Sequence, residues 1–380
     1  MYTIYMGDKL IYSPTLYREY YDIIDPTLTQ ELNRADSLSF IIPPQNPNYD
    51  EITKLKPEIK VYDDTNRVFR GRVVQTDKDF QNLMSVAVEG ELSYFGDVVL
   101  RPYDYQQGTV KGYFTQLITN YNESVDPESV DPWKRFVVGK CDVIDADGNN
   151  NITRANKNYP TVLEEIQDKL IDKLGGYLIP RVEKEDGDEV NYIDYLKMEQ
   201  STNTGAQVIR FAENLLDLND VSDTDNIYTV IVPLGAKGEN ETRLGIADYV
   251  PEGAARPWGK DYIENADGIT KFGRIERVVI WDDVTIAENL WKKANAAVSS
   301  ASSDLHSIEL TALDMHDFGV NVDALKIGLW YRLISVPHGY RDGNEDRPNT
   351  FQLSRVVRKL QNPDKSTYTF GRVQPVLTRR

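Results

Sequence analysis

The chain has 380 residues, 40% hydrophobic and 27% charged, the balance of a folded globular protein too long for one ordinary core. A formal charge of −17 excludes a protein that wraps nucleic acid, which needs a basic footprint. The single cysteine, Cys141, excludes an internal disulfide framework and any cysteine-based zinc cluster. No apolar run approaches the roughly 18 residues of a membrane span. The opening MYTIYMGDKLIYSP lacks the regions of a signal peptide, so folding in a cytoplasm is the expectation. Tyrosine is abundant, 23 against 11 phenylalanines, which suits either partner-facing surfaces or strand-rich interiors.

In chain order, the first pattern is DSLSFIIP, Asp36 to Pro43. An acidic start, an alternating stretch and an apolar burst closed by proline predict a strand. FRGRVVQTDKDFQNLMSVAVEG follows from Phe69 to Gly90. Val68 to Val73 is apolar-rich, Thr76 to Asn82 is polar, and Met84, Val86 and Val88 alternate with Ser85, Ala87 and Glu89: a hairpin with one buried face. Residues 109–121 place Val110, Phe114, Leu117, Ile118 and Tyr121 on one helical face. Residues 161–176 predict a second helix, with Thr161 and Glu164 as a capping box and Gly175-Gly176 as its stop. An Asp186-Gly187 turn then joins two short strands, so 101–206 reads as an α+β domain.

Further on, DNIYTVIVP, Asp225 to Pro233, repeats the form of Asp36 to Pro43. A third helix is expected, with Thr285 and Glu288 repeating the capping box and Ala287, Leu290, Trp291, Ala294 and Val298 following at helical steps, fraying in the serine-rich run at 299–304. FQLSRVVRKLQNPDKSTYTFG, Phe351 to Gly371, repeats the hairpin with an Asn-Pro-Asp turn. Arg-Val-Val recurs at Arg277 without that turn. Pro43 to Arg72 spans 29 positions and Pro233 to Arg355 spans 122, so a 93-residue excess predicts two related β-domains, the second interrupted.

Catalytic signatures are absent: no GxSxG, HExxH, Walker A or GxGxxG after a strand. His306, His316 or His338 could pair with Cys141 as a peptidase dyad, but no local signature surrounds that cysteine, and a structural role is the reading adopted. Asp145-Ala-Asp147-Gly148-Asn149 fails the calcium-loop register, which would put Val143 and Arg154 at ligand positions. Asp217, Asp220, Asp223 and Asp225 resemble a cation site in composition alone. Asp282-Asp283 precedes a helix start, where capping accounts for it. No catalytic, cofactor-binding or metal residues are assigned, and no cofactor is expected.

Several long stretches nevertheless carry a resemblance. Tyr21-Asp22-Ile23-Ile24 leading into DPTLTQELNRADSLSFIIPPQNPNYDEI is similar to the N-terminus of the prophage tail-endopeptidase family. These are tail-tip hub proteins, or tail-associated lysins, of phages infecting Gram-positive bacteria. VFRGRVVQTDKDFQNLMSVAVEGELSYFGD, TVLEEIQDKLIDKLGGYL, IRFAENLLDL, TVIVPLGAKGE and SIELTALDMHDFGVNVDALKIGLWYRLISVPH extend it, in order, over nearly the whole chain.

The resemblance implies a fold like the central baseplate hub of contractile phages: α+β, β-rich and multidomain, with two related β-barrel domains and two α/β insertion domains, forming a ring. Its boundaries here would be 1–100 for the first barrel and 101–206 for the α+β domain. The second barrel would be 207–240 with 305–380, interrupted by a helix-containing insertion domain, 241–304. Three chains with two barrels each would match a sixfold tail tube. The implied function is a non-enzymatic, homotrimeric virion structural protein at the phage or prophage tail tip, assembled in the host cytoplasm. Its partners would be the distal tail protein ring, the tape-measure protein and a tail fibre or lysin module, with genomic DNA only passing through. In many relatives a cell-wall hydrolase follows the hub; only ten residues follow Phe370, so the expectation is either a piece of a longer protein or a member with the hub alone. Two other classes stand beside this reading: a peptidoglycan endopeptidase using Cys141 or a histidine pair, and a carbohydrate-binding module using Trp133, Trp258 or Trp281.

Overall fold

The computed structural model describes the chain except residues 16–19, 56, 126–131, 146–149, 198–203, 223–226, 239, 283, 302–305, 343–348 and 372–380, and except the side chains of 132, 220–222, 306, 307 and 309. Two compact units emerge. The larger comprises Met1–Val143, Thr153–Asp220 and the chain from Ser307 onward; the smaller comprises Ile144–Ile152 and Val221–His306.

The larger unit begins with β1 (Tyr2–Met6), β2 (Lys9–Tyr12), β3 (Ile24–Glu31), β4 (Ser37–Ile42), β5 (Glu58–Asp63), β6 (Asn66–Lys78) and β7 (Met84–Gly90). The period-2 pattern explains them: Leu38, Phe40 and Ile42 on β4 and Met84, Val86 and Val88 on β7 point into one core with Ile4, Ile59 and Val61. The middle block holds β8 (Tyr103–Gly108), β9 (Val137–Cys141), β10 (Ile152–Asn156), β11 (Tyr177–Glu185) and β12 (Asp188–Leu196). The helix Val110–Ser124 is capped by Thr109, whose hydroxyl accepts from Gly112 N. The predicted capping box forms at Thr161, and the helix Val162–Ile166 widens into a π turn over Gln167–Ile171 before Asp172–Leu174 and Gly175. Asp186 and Gly187 both have positive φ (52° and 97°), the two-residue turn the sequence predicts between β11 and β12.

The remaining strands are β13 (Thr204–Arg210), β14 (Leu215–Ser222), β15 (Val230–Leu234), β16 (Ile263–Glu264), β17 (Glu276–Ile280), β18 (His306–Ala312), β19 (Trp330–Ile334), β20 (Thr350–Lys359) and β21 (Thr367–Gly371). One 13-stranded sheet runs β14-β18-β21-β20-β3-β4-β7-β6-β5-β1-β2, with β19 also on β20 and β13 on β19. Within it one order occurs twice. β3-β4-β7-β6-β5-β1 is matched, strand for strand in chain order, by β14-β18-β21-β20-β19-β13. The match reaches the register. In the first hairpin Val73 faces Val88 and the next pair is Gln75 with Ala87, leaving Val74 as a bulge. In the second, Leu353 faces Phe370 and the next pair is Arg355 with Thr369, leaving Ser354 as the bulge. The copies differ at the far side: β1 runs antiparallel to β5, whereas β13 runs parallel to β19. The second set has its own core around Ile308, Leu310, Tyr331, Leu333, Val356 and Tyr368.

Four expectations change. First, among the described residues the hairpins form no two separate closed barrels: both lie in one sheet, because β3 hydrogen-bonds to β4 on one edge and to β20 on the other, and the described path ends at β14 and β2 without closing. Second, the bulges align Val73 with Leu353, so the Arg-Val-Val triplets are three positions out of structural register. Third, the counterpart of β4 is β18. The Asp225–Pro233 stretch instead supplies β15, in the smaller unit, where β15 joins β16 and β17 under the helix Ala287–Ala301 with Leu290, Ala294 and Val298 in the core. Fourth, that helix, Ala287–Ala301, continues through Ser299 and Ser300, residues expected to fray.

Many of the tyrosines are interior residues, although Tyr20 and Tyr159 are exposed. Tyr94, Tyr113, Tyr121, Tyr177, Tyr195, Tyr331, Tyr340 and Tyr368 are among the largest fully buried side chains.

Candidate functional site: the seam between the two strand sets

β20 carries the seam. Its register sets Arg355, Val356, Val357, Arg358 and Lys359 opposite Glu31, Gln30, Thr29, Leu28 and Thr27 of β3. Arg358 is in phase with buried Val356, so the pleat turns a guanidinium into the interior, where it is 6% exposed. It donates to Tyr2 Oη at 2.6 Å and to the Leu325 carbonyl at 2.9 Å, with the carboxylates of Asp314 and Asp317 at 3.5 and 3.6 Å. Tyr2 in turn donates to Asp317 at 2.8 Å. Asp314 is fully buried and accepts from Gln207 Nε2 at 2.7 Å and from the Leu325 N–H at 2.8 Å.

A second contact lies beside the first. His316 Nε2 meets Asp63 Oδ2 at 2.9 Å, while its Nδ1 lies 3.0 Å from the Val322 carbonyl. Residues of β1 and β5 are thus tied to the segment between β18 and β19. Burial pushes the Asp317 carboxyl above the usual carboxylate range, against the pull of Arg358. Burial opposes the charged form of His316, yet the Val322 carbonyl and the Asp63 carboxylate together hold its pKa above the ordinary value. At the outer end, Lys359 pairs with Asp25 at 3.1 Å and Arg355 with Glu31 at 3.5 Å, both at the surface. In the loop after β3, Asn33 is fully buried in a left-handed conformation (φ 59°). Its amide donates to the Gly176 carbonyl at 3.0 Å and accepts from Leu178 N at 3.1 Å. Asp317 Oδ2 is buried without a hydrogen-bond partner, 3.6 Å from the Arg358 guanidinium; the other groups satisfy one another, and the arrangement is a clamp without a nucleophile.

Among the described residues, those that are candidates for chemistry are not brought together. Burial pushes the Cys141 thiol up to about 11, with Lys111 and Asp142 as its charged neighbours, and among the described residues no histidine acts on it. His316 is engaged by Asp63. His338 Nδ1 lies 2.6 Å from Ser335 Oγ, but Ser335 is fully buried and offers no hydroxyl to a polymer substrate. The side chain of His306 lies outside the described residues. Asp145 pairs with Lys293 Nζ at 3.2 Å, both nearly buried, and the rest of that loop lies outside the described residues. Asp217 is exposed on β14; the side chain of Asp220 lies outside the described residues, as do Asp223 and Asp225. Asp282 pairs with Arg243 at 2.5 Å, and Asp283 is not described. Among the described residues no group of three or more potential ligands could hold a metal ion, and no helix is long and apolar enough to cross a membrane. The tryptophans are packed rather than displayed. Trp133 meets Tyr94 edge-on at 5.6 Å, Trp258 meets Trp291 at 4.5 Å, and Trp258 and Trp281 lie against the smaller unit's core.

Sequence reasoning missed Arg358, Tyr2, Asp314 and Asp317. A signal existed for the first: in SRVVRKL the arginine keeps the alternation that puts Val356 inside.

The fold has solved counterparts. The chain shares that of the prophage tail protein gp18 from Listeria monocytogenes EGD-e, with a TM-score of 0.59 at 14% identity, covering 98% of this chain and 94% of that one. A tail protein from Neisseria meningitidis MC58 superposes with a TM-score of 0.61 at 13% identity, covering 98% and 96% of the two chains. The 43 kDa tail protein of prophage MuSo2 from Shewanella oneidensis gives 0.57 at 10% identity, covering 98% of each. At these identities the likeness is one of fold. No family profile matches the sequence, and no curated protein matches it either.

Proposed function

We propose that this chain is a structural, non-enzymatic hub at the tip of a phage or prophage tail, assembling as a homotrimer in the host cytoplasm. The observation that carries the reading is the repeated strand order, β3-β4-β7-β6-β5-β1 and β14-β18-β21-β20-β19-β13, in a chain whose fold is that of three tail proteins, two of them from prophages. A sixfold tube meets a threefold ring without mismatch when each chain presents two similar modules. The first module would occupy 1–100 and the α+β domain 101–206. The second would be interrupted by the insertion that the smaller unit contains, its barrel completed only in the assembly. Partners would be the distal tail ring, the tape-measure protein and a fibre or lysin module, with DNA passing through the ring. The buried salt-bridged clamp suits this role, since it fixes one module against the other without leaving a reactive group.

Light scattering tests the reading. The expected mass is about 130 kDa, three times 43.4 kDa. A protein that stays a monomer or dimer at all concentrations would overturn it. Clearing of Gram-positive cell walls in a zymogram would favour the endopeptidase alternative instead.

A further inference from the structure

The contact between β3 and β20 is made once inside the chain, and the repeat requires that it be available once more. Matching Val73 with Leu353 sets Gln75, Thr76, Asp77 and Lys78 at the positions of Arg355, Val356, Val357 and Arg358. In the second strand set those residues carry β3 along their outer edge. In the first set β5 covers β6 only as far as Arg72, and among the described residues no strand pairs the edge from Gln75 to Lys78. Gln75, Asp77 and Lys78 are exposed.

The complementary edge is at the other end of the sheet. β14 stands in the place of β3: it pairs with β18 as β3 pairs with β4, and it ends the strand path. Its Leu216 is 54% exposed, whereas β3 is covered on both edges. Unpaired strand edges present rows of N–H and C=O groups that template a further strand. β6 and β14 are distant along the sheet path of one chain, so the partner for each comes from another chain.

We infer that β14 of one copy pairs antiparallel with the Gln75–Lys78 segment of β6 in the next copy, reproducing between chains the β3–β20 ladder found within the chain. The contact is head-to-tail, so it builds a closed ring when each step turns by the same angle as the internal one. This rests on the ring-forming hub reading and names the strands that hold the ring.

Cysteine cross-linking tests it in a Cys141→Ser background. Gln75→Cys protein is mixed under oxidising conditions with Asp217→Cys or Asn219→Cys protein, and with Glu123→Cys as a control on the middle-block helix. Disulfide-linked dimers with at least one β14 variant, none with the control, are expected. Hydrogen exchange on the unmodified assembly gives a second readout: slow amides at 75–78 and 215–219. A ring-sized mass with no β14 link, or with fast exchange at both edges, overturns the strand pairing and leaves the hub reading intact. A chain that remains monomeric overturns both.

Discussion

Replacing Arg358 by methionine keeps most of the side-chain volume and removes the charge at the centre of the clamp. The cost follows from what is left behind. Two charge-assisted hydrogen bonds go, to Tyr2 Oη (2.6 Å) and the Leu325 carbonyl (2.9 Å), and Asp314 and Asp317 lose the cation 3.5 and 3.6 Å away. Bonds of that kind contribute about 1.5–3 kcal/mol each, and removing one partner of a buried pair costs about 3–5 kcal/mol in measured cases. The two figures describe the same loss, so about 4 kcal/mol is expected. Urea unfolding followed by far-UV circular dichroism checks it. The transition of the strand-rich larger unit should move to lower denaturant with unchanged slope. Fluorescence dominated by Trp258, Trp281 and Trp291 of the smaller unit should move less. A loss under about 1 kcal/mol would refute the argument that the guanidinium is held as a desolvated, paired charge.

Other perturbations have equally definite outcomes. Gly71→Ala should cost about 2 kcal/mol or more, because its Cβ would lie 2.3 Å from the Glu89 carbonyl oxygen, whereas Gly96→Ala, with nothing nearer than 3.7 Å, should be nearly neutral; equal unfolding midpoints for the two would refute this. His316 has a raised pKa in the fold, so its contribution is complete below its unfolded value of about 6.5 and declines as pH rises through the folded value. The stability gap between the native chain and His316→Gln should therefore narrow as pH rises above about 6.5, and a constant gap would count against the Asp63 contact. Cys141→Ser should leave unfolding and assembly mass unchanged, and the native thiol should alkylate slowly at pH 8 because burial holds its pKa near about 11. Finally, three chains of −17 carry −51, and a channel lined by such chains should release DNA; tight, salt-sensitive DNA binding by the isolated protein would contradict an acidic passage.

The local elements were legible because each carries its own period or cap. The alternation at Met84, Val86 and Val88, the Thr161–Glu164 box and the Asp186-Gly187 turn all appear where the residues place them. The duplication was legible only as a hint. Arg-Val-Val drew attention to the two hairpins, yet the bulges at Val74 and Ser354 show that the triplets are out of step, and β18 rather than Asp225–Pro233 answers to β4. The reason is physical. Pairing order and register are set by backbone edges and by which face is buried, and many residue types serve the same position. Leu38 and Ile308, or Phe40 and Leu310, face equivalent neighbours with no identity between them. The clamp was less legible still, since Tyr2, Asp63, Asp314, Asp317 and Arg358 are scattered from one end of the chain to the other and meet only once the sheet is formed.

The link from β3 to β4 is the short stretch 32–36, whereas the corresponding link, from β14 to β18, runs from 223 to 305 and includes nearly all of the smaller unit. Loop closure costs grow slowly with length, so a turn in one copy can become a compact unit in the other at little expense to the shared sheet. In the proposed ring the paired strands would then repeat six times, while the unit carried on the β14–β18 link would repeat three times. A sixfold frame facing the tail tube and a threefold set of appended units would come from the same chain. The difference between the copies would reside in one connection, and the strand ladders would remain alike.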